Sequence, residues 1–277
     1  MPSNPQTIAQ YHLSNIAYRA VLISAIAIPA TLMWLAAFYG YEQVRKYVNT
    51  VKNSKEGEGF ERLAMGVKWA AFLLPSISLL LLLLRAISNS SASFLPAAII
   101  IGNYATLIGS LIAFSIIGRG ARLLADRVKV RPSLSSTRIG MLIFLSLVTF
   151  YSYFVLSHAL RGPSPYHLST GLLLTTVMIP YVYAWFVGLL AALDIRAVGR
   201  HTPGILYQRG LHRLAMGLFI VITSTILLQC LNSIHAGHDN LVFGGVLLTR
   251  YLLYASVAAG FVLLGNGAKQ LSQIEKV

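Results

Sequence analysis

Arg250 is a fixed positive charge set inside an apolar run that extends from about residue 241 to 265. A guanidinium in hydrocarbon is costly, so such a residue marks an anion site, a lipid contact or a structural pairing. No Asp or Glu falls within any apolar run of the chain to answer it. The expected partner is an anionic solute, a lipid phosphate or helix-end carbonyls, because guanidinium matches carboxylate and phosphate through paired N–H donors. Snorkelling toward the outer headgroups is the structural alternative. Tyr251 follows Arg250, and 147 positions earlier stand Asn103 and Tyr104. These four residues, with Trp34 and Trp185 as gating or stacking groups, form the expected ligand-binding set; core or interface aromatics are the other reading of the two tryptophans.

Pro29 and Pro180 each precede one of those tryptophans by five residues. Proline removes a helical hydrogen bond and clashes with the preceding turn, so both positions are expected kinks or hinges. Glu42 and Asp194 are expected to pair with Arg45 and Arg196 on their own helices rather than carry protons. His12, His158, His167, His235 and His238 fall on one side, and His235, His238 and Asp239 cluster, but no pair has the spacing of a metal site on a helix. No metal or cofactor is expected. A Gly-rich phosphate loop, a Ser-His-Asp set and an HExxH motif are all absent, so a non-catalytic protein is expected. The one cysteine, Cys230, lies in an apolar run and allows no disulfide within the chain.

The elements that must position these residues follow from composition. The 277 residues are 56% hydrophobic and only 11% charged. With a mean hydropathy of +0.68, the chain is far too apolar for a soluble domain. In lipid every backbone polar group must be paired internally, and unbroken apolar runs of about 20 residues select helices over barrel strands. Seven such runs are visible, at about 15–41, 63–86, 95–118, 138–159, 168–192, 211–233 and 241–265. They predict an all-α integral membrane protein of seven transmembrane helices. Arg62–Gly66 and Arg213–Gly217 read as short small-residue connections that anchor and pack at the inner surface.

Lys and Arg are retained on the cytoplasmic side. Seventeen of them fall in the connections and tail on one side and three, Arg19, Arg85 and Arg161, on the other. That places the N terminus outside and the C terminus inside. The formal charge of +14 is thereby explained by topology and by an anionic inner leaflet, with no nucleic-acid partner. The first 14 residues carry no Lys or Arg, so the basic start of a cleavable signal is missing and a bacterial plasma membrane is the simplest location.

An internal repeat organises the seven runs. Ile28-Pro29, Trp34, Arg45 and Arg62-Leu63-Ala64-Met65-Gly66 recur 151 positions later as Ile179-Pro180, Trp185, Arg196 and Arg213-Leu214-Ala215-Met216-Gly217. Tyr11-His12-Leu13-Ser14 recurs at an offset of 155, and Tyr104 with Gly118, Gly120 and Ala121 recurs at 147. The expected organisation is an external segment 1–14, a first three-helix unit 15–127, a basic loop and linker helix 128–160, and a second unit 161–277. With one helix between them the copies run in the same direction, as parallel repeats with a site expected at their interface near the midplane.

This three-plus-one-plus-three plan with prolines in the first helix of each unit resembles the architecture of the SWEET and PQ-loop carriers, which implies solute transport. No apolar run contains that family's Pro-Gln pair and the sixth run has no proline, so no binding residue is carried over. Microbial rhodopsins also have seven helices, but need a lysine in the last one, where this chain has only Arg250. The leading expectation is a small-solute transporter for an anionic or polar solute. The alternatives are a scaffold subunit that joins other membrane subunits, and a seven-helix sensor.

Overall fold

A computed structural model describes residues 16–54, 56–87, 95–130, 179–233 and 240–274. Among them the chain forms six helices: α1 (Ile16–Val51), α2 (Gly57–Ile87), α3 (Leu95–Arg127), α4 (Ile179–His201), α5 (Ile205–Ser233) and α6 (Asn240–Ile274). They coincide with six of the seven predicted runs. The run at 138–159, the N-terminal segment, and all five histidines of the outer side lie outside the described residues. Four segments, Ala105–Arg127, Tyr181–His201, Ile205–Leu228 and Leu248–Ile274, are long and apolar enough to cross a membrane. The architecture is that of an all-α membrane protein.

The helices extend past the apolar runs at the basic end of the bundle, α1 through Glu42–Val51 and α3 through Arg119–Arg127. Backbone bonding continues there through residues that are good helix formers in water, so hydropathy marks where lipid ends and not where the helix does. The same effect corrects one expectation. Arg62–Gly66 and Arg213–Gly217 are not connections but lie inside α2 and α5. The true connections lie upstream, between Val51 and Gly57 and between His201 and Ile205. Val51 accepts from the Ser54 hydroxyl at 2.7 Å. Val198 accepts from the Thr202 hydroxyl at 2.8 Å, and Gly204 turns the chain with φ of +102°. At the end of α3, Lys129 takes φ of 55° and the Val130 amide donates to the Ala125 carbonyl, the left-handed close of a helix C-terminus.

Each helix packs on its chain neighbours, α3 on α4 included, and α1 closes on α6, so the described helices form a ring. Several contacts bring backbone against backbone, among them Gly40 of α1, whose added methyl would lie 2.7 Å from the Phe261 oxygen of α6. A methyl group on Gly66 of α2 would lie 2.8 Å from the Ala113 carbonyl oxygen and the Ile117 amide of α3. One on Gly217 of α5 would lie 2.5 Å from the Leu264 amide and 2.6 Å from the Gly260 oxygen of α6. A turn nearer the basic end, Gly120 of α3 sits against Gly59 and Leu63, and Gly267 of α6 against Gly210 and Leu214. Leu63, Phe114, Ile117 and Leu124 fill the space around the first pair; Leu214, Phe261, Leu264 and Leu271 do so around the second, and all are essentially inaccessible.

Gly217→Ala is expected to lower stability by about 1–3 kcal/mol, the usual cost of overpacking a tight interface. Gly118→Ala should cost less, because its added methyl meets a side-chain carbon of Val187 at 2.9 Å and backbone only at 3.7 Å, an ordinary contact. Unfolding of both variants in detergent micelles measures the difference. Equal cost would contradict the backbone contact at Gly217.

Candidate functional site

Polar side chains that join the first three helices to the last three gather toward the basic end. Tyr47 of α1 is fully buried, with its ring edge-on to Phe60 at 4.9 Å and 84°. Its hydroxyl lies 3.1 Å from the Tyr207 hydroxyl of α5. Tyr207 donates its proton to Glu56 Oε2 at 3.0 Å. Since that proton is committed, Tyr47 must be the donor in the Tyr47–Tyr207 bond. The chain Tyr47 to Tyr207 to Glu56 therefore runs in one direction and ends on a carboxylate just before the N-terminus of α2, where the helix dipole favours negative charge. Glu56 and Tyr207 are themselves 151 positions apart.

Along the contact of α1 with α6, Tyr39 donates to Asn266 Oδ1 at 2.8 Å. Gly265 lets the ring lie flat against α6, since a Cβ there would reach Tyr39 Cε1 at 2.8 Å. Deeper in the bundle, Thr106, Ser110, Ser224 and Thr225 are buried hydroxyl groups on α3 and α5. Ser110 Oγ and Thr225 Oγ1 have no hydrogen-bond partner among the described residues. Buried hydroxyls in this condition retain a donor for a ligand or a water.

The residues singled out from sequence are distributed unevenly. Arg250 is half-buried and engaged by its surroundings. It occupies the same face of α6 as buried Tyr254, Val257, Phe261 and Leu264, which is the inward face. Tyr251 is 46% exposed, on the outward side. Asn103 and Tyr104 belong to α3, but their side chains are outside the described residues. Trp185 is buried and its indole donates to Thr223 at 3.2 Å. Trp34, its sequence counterpart, is only half-buried and stacks on Phe38 at 6.2 Å. Pro29 lies within α1 and is buried, and Pro180 stands in the first turn of α4 as described.

Glu42 and Arg45 approach at 3.9 Å, as the three-residue spacing allows. Asp194 and Arg196 do not share a face: Asp194 is buried and Arg196 exposed, because residues two apart on a helix point away from one another. The expected pairing of these two is corrected accordingly. Sequence reasoning also passed over Tyr47, Glu56 and Tyr207. No local pattern marks them, because their pairing depends on how helices distant in the chain meet.

Among the described residues, grooves open at the basic end. One of about 720 Å³ lies between α5 and α6 and is lined by Arg213, Asn266, Lys269 and Gln270. A second, of about 360 Å³ between α4 and α5, is lined by Arg196, Arg200, Arg209, His212 and Arg213. A third, of about 420 Å³ between α2 and α3, mixes Glu58 and Glu61 with Arg62 and Arg119. Fold and site together define a polytopic all-α membrane protein with a buried polar cluster between its halves and a charged rim. No known family model, curated protein or solved structure matches the chain.

A Tyr47→Phe, Tyr207→Phe double-mutant cycle tests the directed hydrogen-bond chain. The two changes are expected to be non-additive, with a coupling energy of about 0.5–3 kcal/mol in detergent unfolding, as for groups in one network. Strict additivity would show that the phenols do not share a proton path.

Proposed function

We propose that the chain is a carrier for a small anionic or polar solute, built as two parallel copies of a three-helix unit around a linker helix. In this reading seven helices span the bilayer, with the N terminus outside and the basic end in the cytoplasm. The observation that carries it is a pair of buried hydroxyls left inside the bundle: Ser110 Oγ on α3 and Thr225 Oγ1 on α5 have no hydrogen-bond partner among the described residues. Such groups retain a donor for a polar solute. Between units the described hydrogen bonds are Tyr39–Asn266 and the Tyr47–Tyr207–Glu56 chain, and backbone also approaches backbone there, where a methyl on Gly40 would lie 2.7 Å from the Phe261 oxygen. In a carrier of two parallel repeats the solute site is expected at the interface between them.

The matched contacts at Gly66 and Gly217, and at Gly120 and Gly267, support the duplication. Arg250 on the inward face of α6 supplies the anion-recognising group, with Asn103 opposite it in the repeat register. The phenol–carboxylate chain closes the basic end, so a path to the cytoplasm opens by breaking it. Neither a nucleotide nor a metal is required in this reading, and no chemistry is done on the solute.

A second reading is a non-catalytic scaffold subunit of a larger membrane complex. The interior filled by Phe114, Ile117, Phe261 and Leu264 is the observation that favours it.

Proteoliposome uptake over a panel of carboxylates, phosphates and sugars separates the two. The carrier reading predicts saturable uptake of at least one solute, reduced tenfold or more by Arg250→Ala. Uptake of none by protein that remains folded would overturn it in favour of the scaffold, and uptake indifferent to Arg250→Ala would remove that residue from the path.

A further inference from the structure

We propose that the groove between α4 and α5 at the basic end binds the phosphate headgroup of an anionic membrane lipid. Its wall carries Arg196, Arg200, Arg209, His212 and Arg213 and contains no carboxylate. The residues 151 positions earlier are Arg45, Asn49, Glu58, Glu61 and Arg62. Two arginines face two glutamates in the first half, where four arginines and a histidine stand in the second.

The first half answers its own charges. Arg62 pairs with Glu58 at 3.0 Å, and Arg45 lies 3.9 Å from Glu42. In the second half Glu58 has become Arg209 and Glu61 has become His212, so the carboxylates that would play that role are replaced by basic groups. Arg213 donates one N–H to Gln270 at the far rim, which holds that side chain in place between the two grooves flanking α5. Like charges gathered in one concave wall repel unless an anion lies among them, and guanidinium groups meet a phosphate by paired, geometrically fixed bonds.

The apolar rim distinguishes a lipid from a free phosphate. Ile205 and Leu206, on the first turn of α5 beside the arginines, are 69% and 58% exposed. Met216 and Phe219 continue an exposed apolar strip along α5 toward the membrane interior. A soluble anion would use the arginines alone. A phospholipid uses both surfaces, with its phosphate among the guanidinium groups and its acyl chains on the strip. This concentrates a specific site on one corner of the molecule, whereas the general attraction of a basic surface for an anionic leaflet is spread over every inner loop. The inference stands independently of transport, because it is read on binding alone.

The test uses the full chain in a neutral detergent, with Tm followed during titration of dioctanoyl phosphatidylglycerol, dioctanoyl phosphatidylcholine or inorganic phosphate in separate arms. A saturable rise in Tm with phosphatidylglycerol only is expected. In Arg200→Gln/Arg209→Gln the apparent affinity should fall tenfold or more, and Arg209→Glu, which restores the charge of the first half at that position, should weaken it as well. The charge-matched pair Arg45→Gln/Lys46→Gln should leave it unchanged. All these side chains are exposed, so folding is retained. A response to phosphatidylcholine of equal size, or equal losses in both double variants, would reduce the effect to non-specific association and overturn the site. Inorganic phosphate acting as well as the lipid would make it a site for a soluble anion and overturn the lipid assignment.

Discussion

In hydrocarbon two helices gain nothing by hiding leucine from a solvent that is itself apolar, so close packing of backbone against backbone must hold them together. Glycine provides it here. At Gly66 and Gly217 the facing helix comes so near that even a methyl group would strike its amides and carbonyls. The ring of helices depends on these contacts. They bring α2 against α3 and α5 against α6. Tyr47, Glu56 and Tyr207 can meet only because both hairpins are held at that spacing.

The polar groups then divide by position. Inside each half the interface is mainly aliphatic and aromatic, with the Trp185–Thr223 and Arg213–Gln270 bonds among its polar contacts. Between halves it carries phenols, an amide and a carboxylate beside a close backbone approach of Gly40 to Phe261. The charged rim adds a second division: at the basic end the first three described helices pair Arg62 with Glu58 and bring Arg45 to Glu42, and the last three present a basic groove between α4 and α5.

Much of this was legible in the residues. Long apolar runs locate helices because lipid leaves the backbone no other bonding, and six of the seven runs are helices in the described residues; the seventh lies outside them. Gly66 and Gly217 could be read as packing positions from their small-residue setting. Helix ends were less legible, since charged residues beyond the membrane continue the same hydrogen-bond ladder. Environment was not legible at all from the offset alone. Trp34 and Trp185 are counterparts in sequence, yet one stacks on Phe38 at a partly exposed surface and the other is buried and bonded to Thr223. Side-chain pairing over long separations, as between Glu56 and Tyr207, depends on how the two hairpins meet, which no local pattern encodes.

The central claim is that the first and last described helices close the ring, with α1 lying along α6. Tyr39 and Asn266, 227 positions apart and in hydrogen-bond contact, report on it directly. In a Cys230→Ser background, Tyr39→Cys and Asn266→Cys together should be joined within one chain by a short bifunctional thiol reagent in native membranes, giving a faster-migrating monomer on denaturing gels. Absence of that product while each single cysteine remains reactive, or cross-links formed only between chains, would contradict the closed arrangement.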